Sequence, residues 1–390
     1  MKEIGLTKQK ILLMGVVAVF ILALIMLGVM FFGKQQMVNS TKNKKVEEVT
    51  KKDNDKTQRE DVSGSGVAKK DGRMIKLAEG KVFGPTIKPE TNLVMFYEQQ
   101  SILTVDPFTG KKSAVSKYPF GEVRSWLWSK KADRAIVNDT GDYYIYDLNN
   151  NLTNKFRYDI DIAIFNKDGD RVIYKYYNPE THQRRIKIAD LKGENGQLVV
   201  DSVPYRKIDL NLQPQTERMC YLPTPDARIK GKLFCMDLNG GEEREYGGQF
   251  GADYLWSPNG QKILTSFTKE ESGNQLVLAV MNKDGGETKG LSFATTVKKC
   301  VWSKDNVNVY CAMIGGAPLD VMLPNAWDEQ IFNSADTFWK INTQTGEKKR
   351  LIDLEKIPSV IDAEDLVLDP EEKFLFFRAR RDGSLWRLKL

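Results

Sequence analysis

The sequence predicts an all-β fold of seven repeated four-stranded antiparallel units, preceded by one membrane-crossing helix and a disordered tether. Three observations predict it. A strand–turn–strand pattern recurs about every 40–45 residues. Thirty Gly and fourteen Pro supply many turns. A single apolar run near the N-terminus is long enough to span a bilayer, and nothing else in the chain is helical enough to surround it as a core helix. With 390 residues, 41% hydrophobic and 28% charged, the composition excludes wholesale disorder, collagen and a polytopic membrane protein. A net charge of +6 over that length is mild and does not argue for nucleic acid.

The apolar run extends from Ile11 to Phe32. As a helix it is ~33 Å long at 1.5 Å per residue, enough for a ~30 Å hydrocarbon core. It exits through Phe31, Phe32, Gly33 and Lys34 with no small-x-small cleavage site, so it reads as an uncleaved anchor rather than a secretory signal. Lys2, Lys8 and Lys10 precede it and Lys34, Lys42, Lys44 and Lys45 follow it, so flanking charge does not set orientation. A short tail inside with the bulk outside is the commoner layout. Val38 to Asp71 is rich in Lys, Glu and Asp, contains Ser63-Gly-Ser-Gly66 and lacks aromatics, as a flexible linker does. A helical stalk is the alternative. The expected boundaries are 1–10 cytoplasmic tail, 11–32 transmembrane helix, 33–72 linker and 73–390 repeat domain.

The clearest repeat runs YLWSPNGQKILT from Tyr254 to Thr265 and continues as LVLAVMNKDGG from Leu276 to Gly286. The same order recurs at WLWSKKADRAIV (Trp126 to Val137), IAIFNKDGDRVIY (Ile162 to Tyr174), CVWSKDNVNVYCA (Cys300 to Ala312) and LVLDPEEKFLFF (Leu366 to Phe377). Weaker copies are IKPETNLVMFY (Ile87 to Tyr97) and LNLQPQTERMCY (Leu210 to Tyr221). The turn positions Pro89, Lys130, Lys167, Pro214, Pro258, Lys304 and Pro370 are spaced 41, 37, 47, 44, 46 and 66 residues apart. Seven strand-rich units of this length predict a seven-bladed β-propeller of four-stranded blades.

The WSPNGQKIL and IFNKDGDRVIY elements resemble the WD40-like β-propeller repeats of the TolB and dipeptidyl-peptidase-propeller kind. The resemblance covers about residues 73 to 390. It implies the propeller fold and is nearly silent about function. The chain ends fit a closed ring. The last unit stops at Leu390 after its third strand, whereas Arg73 to Leu77 precedes the first unit with no blade of its own. That segment is expected to supply the missing outer strand, which removes an open sheet edge. Trp126, Trp128, Trp256, Trp302, Trp339 and Trp386 recur at strand positions and read as packing between blades; Trp327 stands outside the pattern.

The repeat alignment also places the four cysteines. With the hairpin turning at Asn259-Gly260, Trp256 faces Ile263. Transferred to the sixth unit, that register sets Trp302 opposite Val309 and therefore Cys300 opposite Cys311. Cys220 and Cys235 lie equidistant from a loop near Ala227. Two such pairs on adjacent antiparallel strands predict two disulfides and an oxidising, extracytoplasmic setting. Four buried thiols are the alternative. Neither pair has the CxxC spacing of a zinc site.

Motifs of catalysis are scarce. No GxSxG elbow, P-loop or GxGxxG occurs, and the single histidine, His182, excludes sites needing two imidazoles. Asp168-Gly-Asp170 and Asn282 to Gly286 read as hairpin turns rather than calcium loops. No metal or cofactor is expected. Two features exceed a bare scaffold. An insertion in the sixth unit, from about Gly315 to Ala335, is unusually apolar, with Leu319, Met322, Leu323, Trp327 and Phe332 as candidate partner-binding residues. It reads equally as a contact surface or as a lid packed over the channel. At the entry to the innermost strands, Glu122, Asp159, Asp161, Asp209, Asp253, Asp362, Glu364 and Asp365 form a candidate acidic ring, diluted by Arg124, Lys298 and Lys299.

These readings lead to an expectation: a membrane-anchored, extracytoplasmic propeller without catalytic activity, binding a protein or cell-envelope ligand and no nucleic acid. An enzyme or a small-ligand or cation sensor using the acidic ring is the alternative.

Overall fold

The computed structural model describes residues 72–117, 120–156 and 159–390. The expected tail, the helix at 11–32 and the linker up to residue 71 lie outside them. Among the described residues, no helix is long and apolar enough to cross a membrane.

These residues form five four-stranded antiparallel sheets and one of seven strands. The larger sheet is two four-stranded groups sharing a single strand, Arg244–Trp256. Tyr246 in its first half pairs with Leu233, and Tyr254 in its second half pairs with Thr265. The outer strand of the fourth unit therefore runs on into the inner strand of the fifth. All seven repeats read from the sequence correspond to four-stranded groups, which we call units 1–7.

Within a unit, burial changes from strand to strand. Second strands, such as Val94–Glu98 (VMFYE) and Phe374–Ala379 (FLFFRA), are almost wholly buried. They are nearly continuous apolar runs because both of their faces are covered by neighbouring sheets. Outer strands such as Lys112–Lys117 are exposed along most of their length and correspondingly polar. First strands of neighbouring units touch, as Val82–Ile87 does with Val123–Trp128 and Ile160–Phe165 with Ile208–Leu212. They form the inner wall.

The core lies between units. Tyr310, Ala312 and Phe338 of unit 6 pack on Leu375, Phe377 and Leu388 of unit 7. Val94 and Phe96 of unit 1 pack on Phe374, Phe376 and Leu385 of unit 7, so the first and last units share one apolar layer. The ring is also closed by pairing. Met74–Ala78 is the fourth strand of unit 7, with Met74 opposite Leu388 and Lys76 opposite Trp386. Trp126, Trp256, Trp302 and Trp386 are buried in these layers, and Trp126 stacks on Tyr97 at 4.5 Å.

The strand registers agree with the repeat alignment: Trp256 faces Ile263, Trp302 faces Val309 and Cys300 faces Cys311. Both cysteine pairs are disulfides, Cys220–Cys235 and Cys300–Cys311. Their Cα separations of 4.1 and 4.2 Å are those of non-hydrogen-bonded cross-strand pairs, where the side chains approach most closely. The Asp168-Gly169 and Asn282–Gly286 segments are turns. Asn166 Oδ1 accepts the Asp170 and Arg171 amides, and the Gly285 amide donates to the Asn282 carbonyl.

Candidate functional site

The insertion of unit 6 packs on units 4 to 7 at the end where their inner strands begin. At its neck the Ala335 amide donates to the Gly315 carbonyl at 2.9 Å. Its centre is a single helical turn, Asn325–Asp328. Asn325 Oδ1 accepts the Ala227 amide of unit 4 at 2.9 Å, and the Leu323 amide donates to the Gly273 carbonyl of unit 5. Leu323 and Trp327 pack on Leu276, also of unit 5. Pro324 sits so close to Gly251 that a Cβ there would lie 2.8 Å from Pro324 Cδ, at a backbone φ of +61°. Only glycine suits both demands.

Two adjacent lysines at the start of the sixth inner strand hold the insertion from below. Lys298 Nζ donates to Asp328 Oδ1 at 3.0 Å. Lys299 Nζ lies 2.6 Å from both Asp336 Oδ2 and Asp362 Oδ1, 3.0 Å from Ser334 Oγ and 2.9 Å from the Ala363 carbonyl oxygen. Lys299, Asp336 and Asp362 are all buried. Trp327 Nε1 donates to Asp362 Oδ1 at 2.9 Å. The Trp327 ring centroid is 4.7 Å from Lys299 Nζ and 4.1 Å from the Arg380 guanidinium. Arg380 in turn donates to the carbonyls of Trp327 and Asp328. A buried ammonium is tolerable only with such compensation, since an isolated charge in this setting would be neutralised or expelled. Burial drives the Asp336 carboxyl above its usual range despite Lys299. Burial acts on Asp362 in the same direction, but Lys299 and the hydrogen bonds from Trp327 and Ser334 outweigh it and hold that group low.

The candidate partner-binding residues therefore divide. Leu323 and Trp327 are buried and belong to the underside of the lid, so they offer nothing to a partner. This corrects the expectation for those two. Met322 and Phe332 are half-buried. Leu319, at 91% exposure, and Ile331, at 67%, are the apolar side chains that face outward.

The acidic ring is not a set of free carboxylates. Asp161 pairs with Lys175 and Arg184. Glu364 pairs with Arg378 and Arg380, and Asp365 with Arg378. Asp362 is consumed by the lid, and Asp159 is exposed. Only Asp209 and Asp253 gather with Asp328 round a single cation, Lys298. Burial raises the carboxyls of Asp209 and Asp253, the latter to about 7. Burial lowers the Lys298 ammonium, but Asp253, Asp328 and Asp209 more than offset that and raise it. Asp328 and Asp336 are missing from the sequence-derived set. Their signal was two acidic residues near the end of an apolar insertion, available to the Lys298-Lys299 doublet. Among the described residues, no group of three or more His, Cys, Asp or Glu side chains is arranged to hold a metal. His182 lies in an exposed turn, its Nδ1 2.9 Å from the Tyr177 hydroxyl.

At the opposite end, where the inner strands of units 2–4 finish, there is a cavity of about 460 Å³. Leu127, Trp128, Ile164, Phe165, Leu210 and Leu212 form its apolar walls, and Lys130 and Lys167 stand among its lining residues.

No family model matches the chain, and no curated protein matches it. Solved structures do. An oligogalacturonate lyase in complex with manganese aligns over 81% of this chain and 93% of its own, at 12% identity and TM-score 0.58. The oligogalacturonate lyase from Vibrio parahaemolyticus gives the same coverage and TM-score at 10% identity. The Cps50 (Swd1) β-propeller domain from Myceliophteria thermophila aligns over 81% of this chain and 98% of its own, at 12% identity and TM-score 0.53. At these identities the likeness is one of fold, and the fold is a β-propeller. It also overturns the expectation that the chain has no catalytic activity. That expectation treated the propeller as a bare scaffold, whereas the same architecture carries a lyase.

Proposed function

We propose that the chain is a seven-bladed propeller that binds a protein or cell-envelope ligand on the outer side of a membrane. Residues 1–10 would be the cytoplasmic tail, 11–32 the anchor, 33–72 the tether and 73–390 the displayed domain. The outer placement is supported by two disulfides on adjacent strands, a use of cysteine that belongs to oxidising compartments. The WD40-like character of the repeats is consistent with a binding role.

One observation carries the binding reading. The insertion is fastened to four units by the Lys298–Asp328 ion pair and by hydrogen bonds of Leu323, Asn325, Trp327 and Ser334, yet it exposes Leu319 and Ile331. Large apolar side chains on a rigid base lose little entropy when covered, which favours association. A photo-crosslinking amino acid at position 319 or 331, in the full-length chain in its native membranes, tests this. A discrete adduct absent from a position-198 control is expected. No adduct, or the same adducts from all three positions, would count against the insertion as the binding face.

A second reading is favoured by the Asp253 carboxyl, which burial sets near neutrality beside Asp209, Asp328 and Lys298. Such a group suits acid–base work. Its test is cleavage of oligogalacturonate by the wild type and by Asp253→Asn, with and without manganese. Turnover lost in the variant supports it, and no turnover in any combination removes this substrate.

A further inference from the structure

The cavity at the far end of the inner strands is independent of the lid and of both readings above. Its apolar walls are the ends of inner strands, and the short turns that follow them complete its rim. Its volume of about 460 Å³ is within the ordinary range for small-ligand sites. The neutral polar groups around it are mostly spent. Gln213 Nε2 donates to the Gly260 carbonyl and Gln215 Nε2 to the Pro258 carbonyl. Thr216 Oγ1 donates to the Gln213 carbonyl, and Asn166 is occupied by its own turn.

The lysines are not spent. Among the described residues, neither the Lys130 nor the Lys167 ammonium has an ion-pair partner, and no lining residue is acidic. Two cations without an ion-pair partner at the edge of an apolar cavity are complementary to a ligand with an apolar body and a negative end. Lys130 and Lys167 also border the adjoining groove, where Lys88 and Lys131 face Glu90, Asp133 and Asp168, so beyond those two lysines the groove carries no net positive charge. That balance favours a single anionic group at the rim over a long polyanion.

We propose that this cavity binds an apolar carboxylate, its hydrocarbon or aromatic part against Leu127, Ile164 and Leu212 and its carboxylate between Lys130 and Lys167. The ligand can be a small free acid or the C-terminal end of a partner chain with a bulky last residue, since both present the same chemistry.

Calorimetric titration of the full-length chain in detergent tests this with 4-phenylbutyrate and its neutral amide. The acid should bind about fivefold more tightly than the amide, the scale of two exposed charge contacts. The preference should shrink as salt is raised. In Lys130→Met/Lys167→Met it should vanish while amide binding persists, which shows the cavity intact; Lys88→Met/Lys131→Met should retain it. Equal affinity for acid and amide in the wild type, a preference surviving in Lys130→Met/Lys167→Met, or no binding at 10 mM (about the weakest affinity of interest) would overturn the proposal. Acetyl-Ala-Ala-Leu-Phe with a free C-terminus separates the sources. Tighter binding than 4-phenylbutyrate assigns the site to a chain end, and equal or weaker binding to a small acid.

Discussion

Lys299 Nζ lies 2.6 Å from Asp362 Oδ1, and neither side chain has any exposed surface. The contact joins the inner strand of unit 6 to the start of unit 7, and through Trp327 and Ser334 it carries the insertion as well. Replacing Lys299 by Met should leave Asp336 and Asp362 buried without a cation. The expected loss is about 3–5 kcal/mol of unfolding free energy, read as a lower urea midpoint. A change under about 1 kcal/mol would place the pair among the many that contribute nothing measurable.

Asp253 sets a pH dependence of known sign. Its folded-state pKa of about 7 is above that of an unfolded aspartate. The folded state therefore holds the proton more tightly, and the associated stability is complete below about pH 4. It is lost as pH rises through 7. Asp209, raised for the same reason, adds in the same direction. Asp253→Asn should flatten the stability profile between about pH 4 and 7 and exceed the wild type above neutrality. Parallel profiles for the two proteins would show that Asp253 does not titrate in this window.

The disulfides close loops with sequence separations of 15 and 11 residues. Loops of this size restrict the unfolded chain by about 3 kcal/mol each on the chain-entropy estimate. Reduction should lower the denaturation midpoint stepwise, and Cys220→Ser/Cys235→Ser should remove one step only. Equal midpoints in reduced and oxidised protein would refute a stabilising role.

Gly251 keeps the lid seated. Valine there would combine an unfavourable positive φ with a contact against Pro324, costing about 1–3 kcal/mol for the backbone alone. Amide hydrogen exchange should accelerate at residues 322–331 in Gly251→Val and stay unchanged in unit 1. Uniform acceleration throughout would mean that Gly251 supports the whole ring rather than the lid.

How much of this was legible in the sequence depends on contact range. Pairings that follow from a hairpin register, such as Cys300 with Cys311, were readable because a tight turn fixes everything on both sides of it. Closure by Arg73 to Leu77 was readable from a missing strand, though its partner strand is more than 300 positions away. The site was less legible. Lys298 and Lys299 looked like charges diluting an acidic ring. Their true partners, Asp328 and Asp336, lie beyond the second strand of unit 6, and no local pattern links them. Trp327 read equally as a contact residue or as part of a lid, because periodicity cannot tell a loop packed inward from one facing solvent. The lysine-rimmed cavity combines turns from different repeats, so its residues read singly as ordinary hairpin polarity.

The outer placement of the propeller is tested most directly by thiol mapping. The full-length chain in intact cells is alkylated without reductant, digested, and searched by mass spectrometry for the four cysteine peptides. Recovery of Cys220–Cys235 and Cys300–Cys311 as linked pairs is the predicted result. Four freely alkylated cysteines would contradict an oxidising location and turn the search for a ligand to the cytoplasmic side.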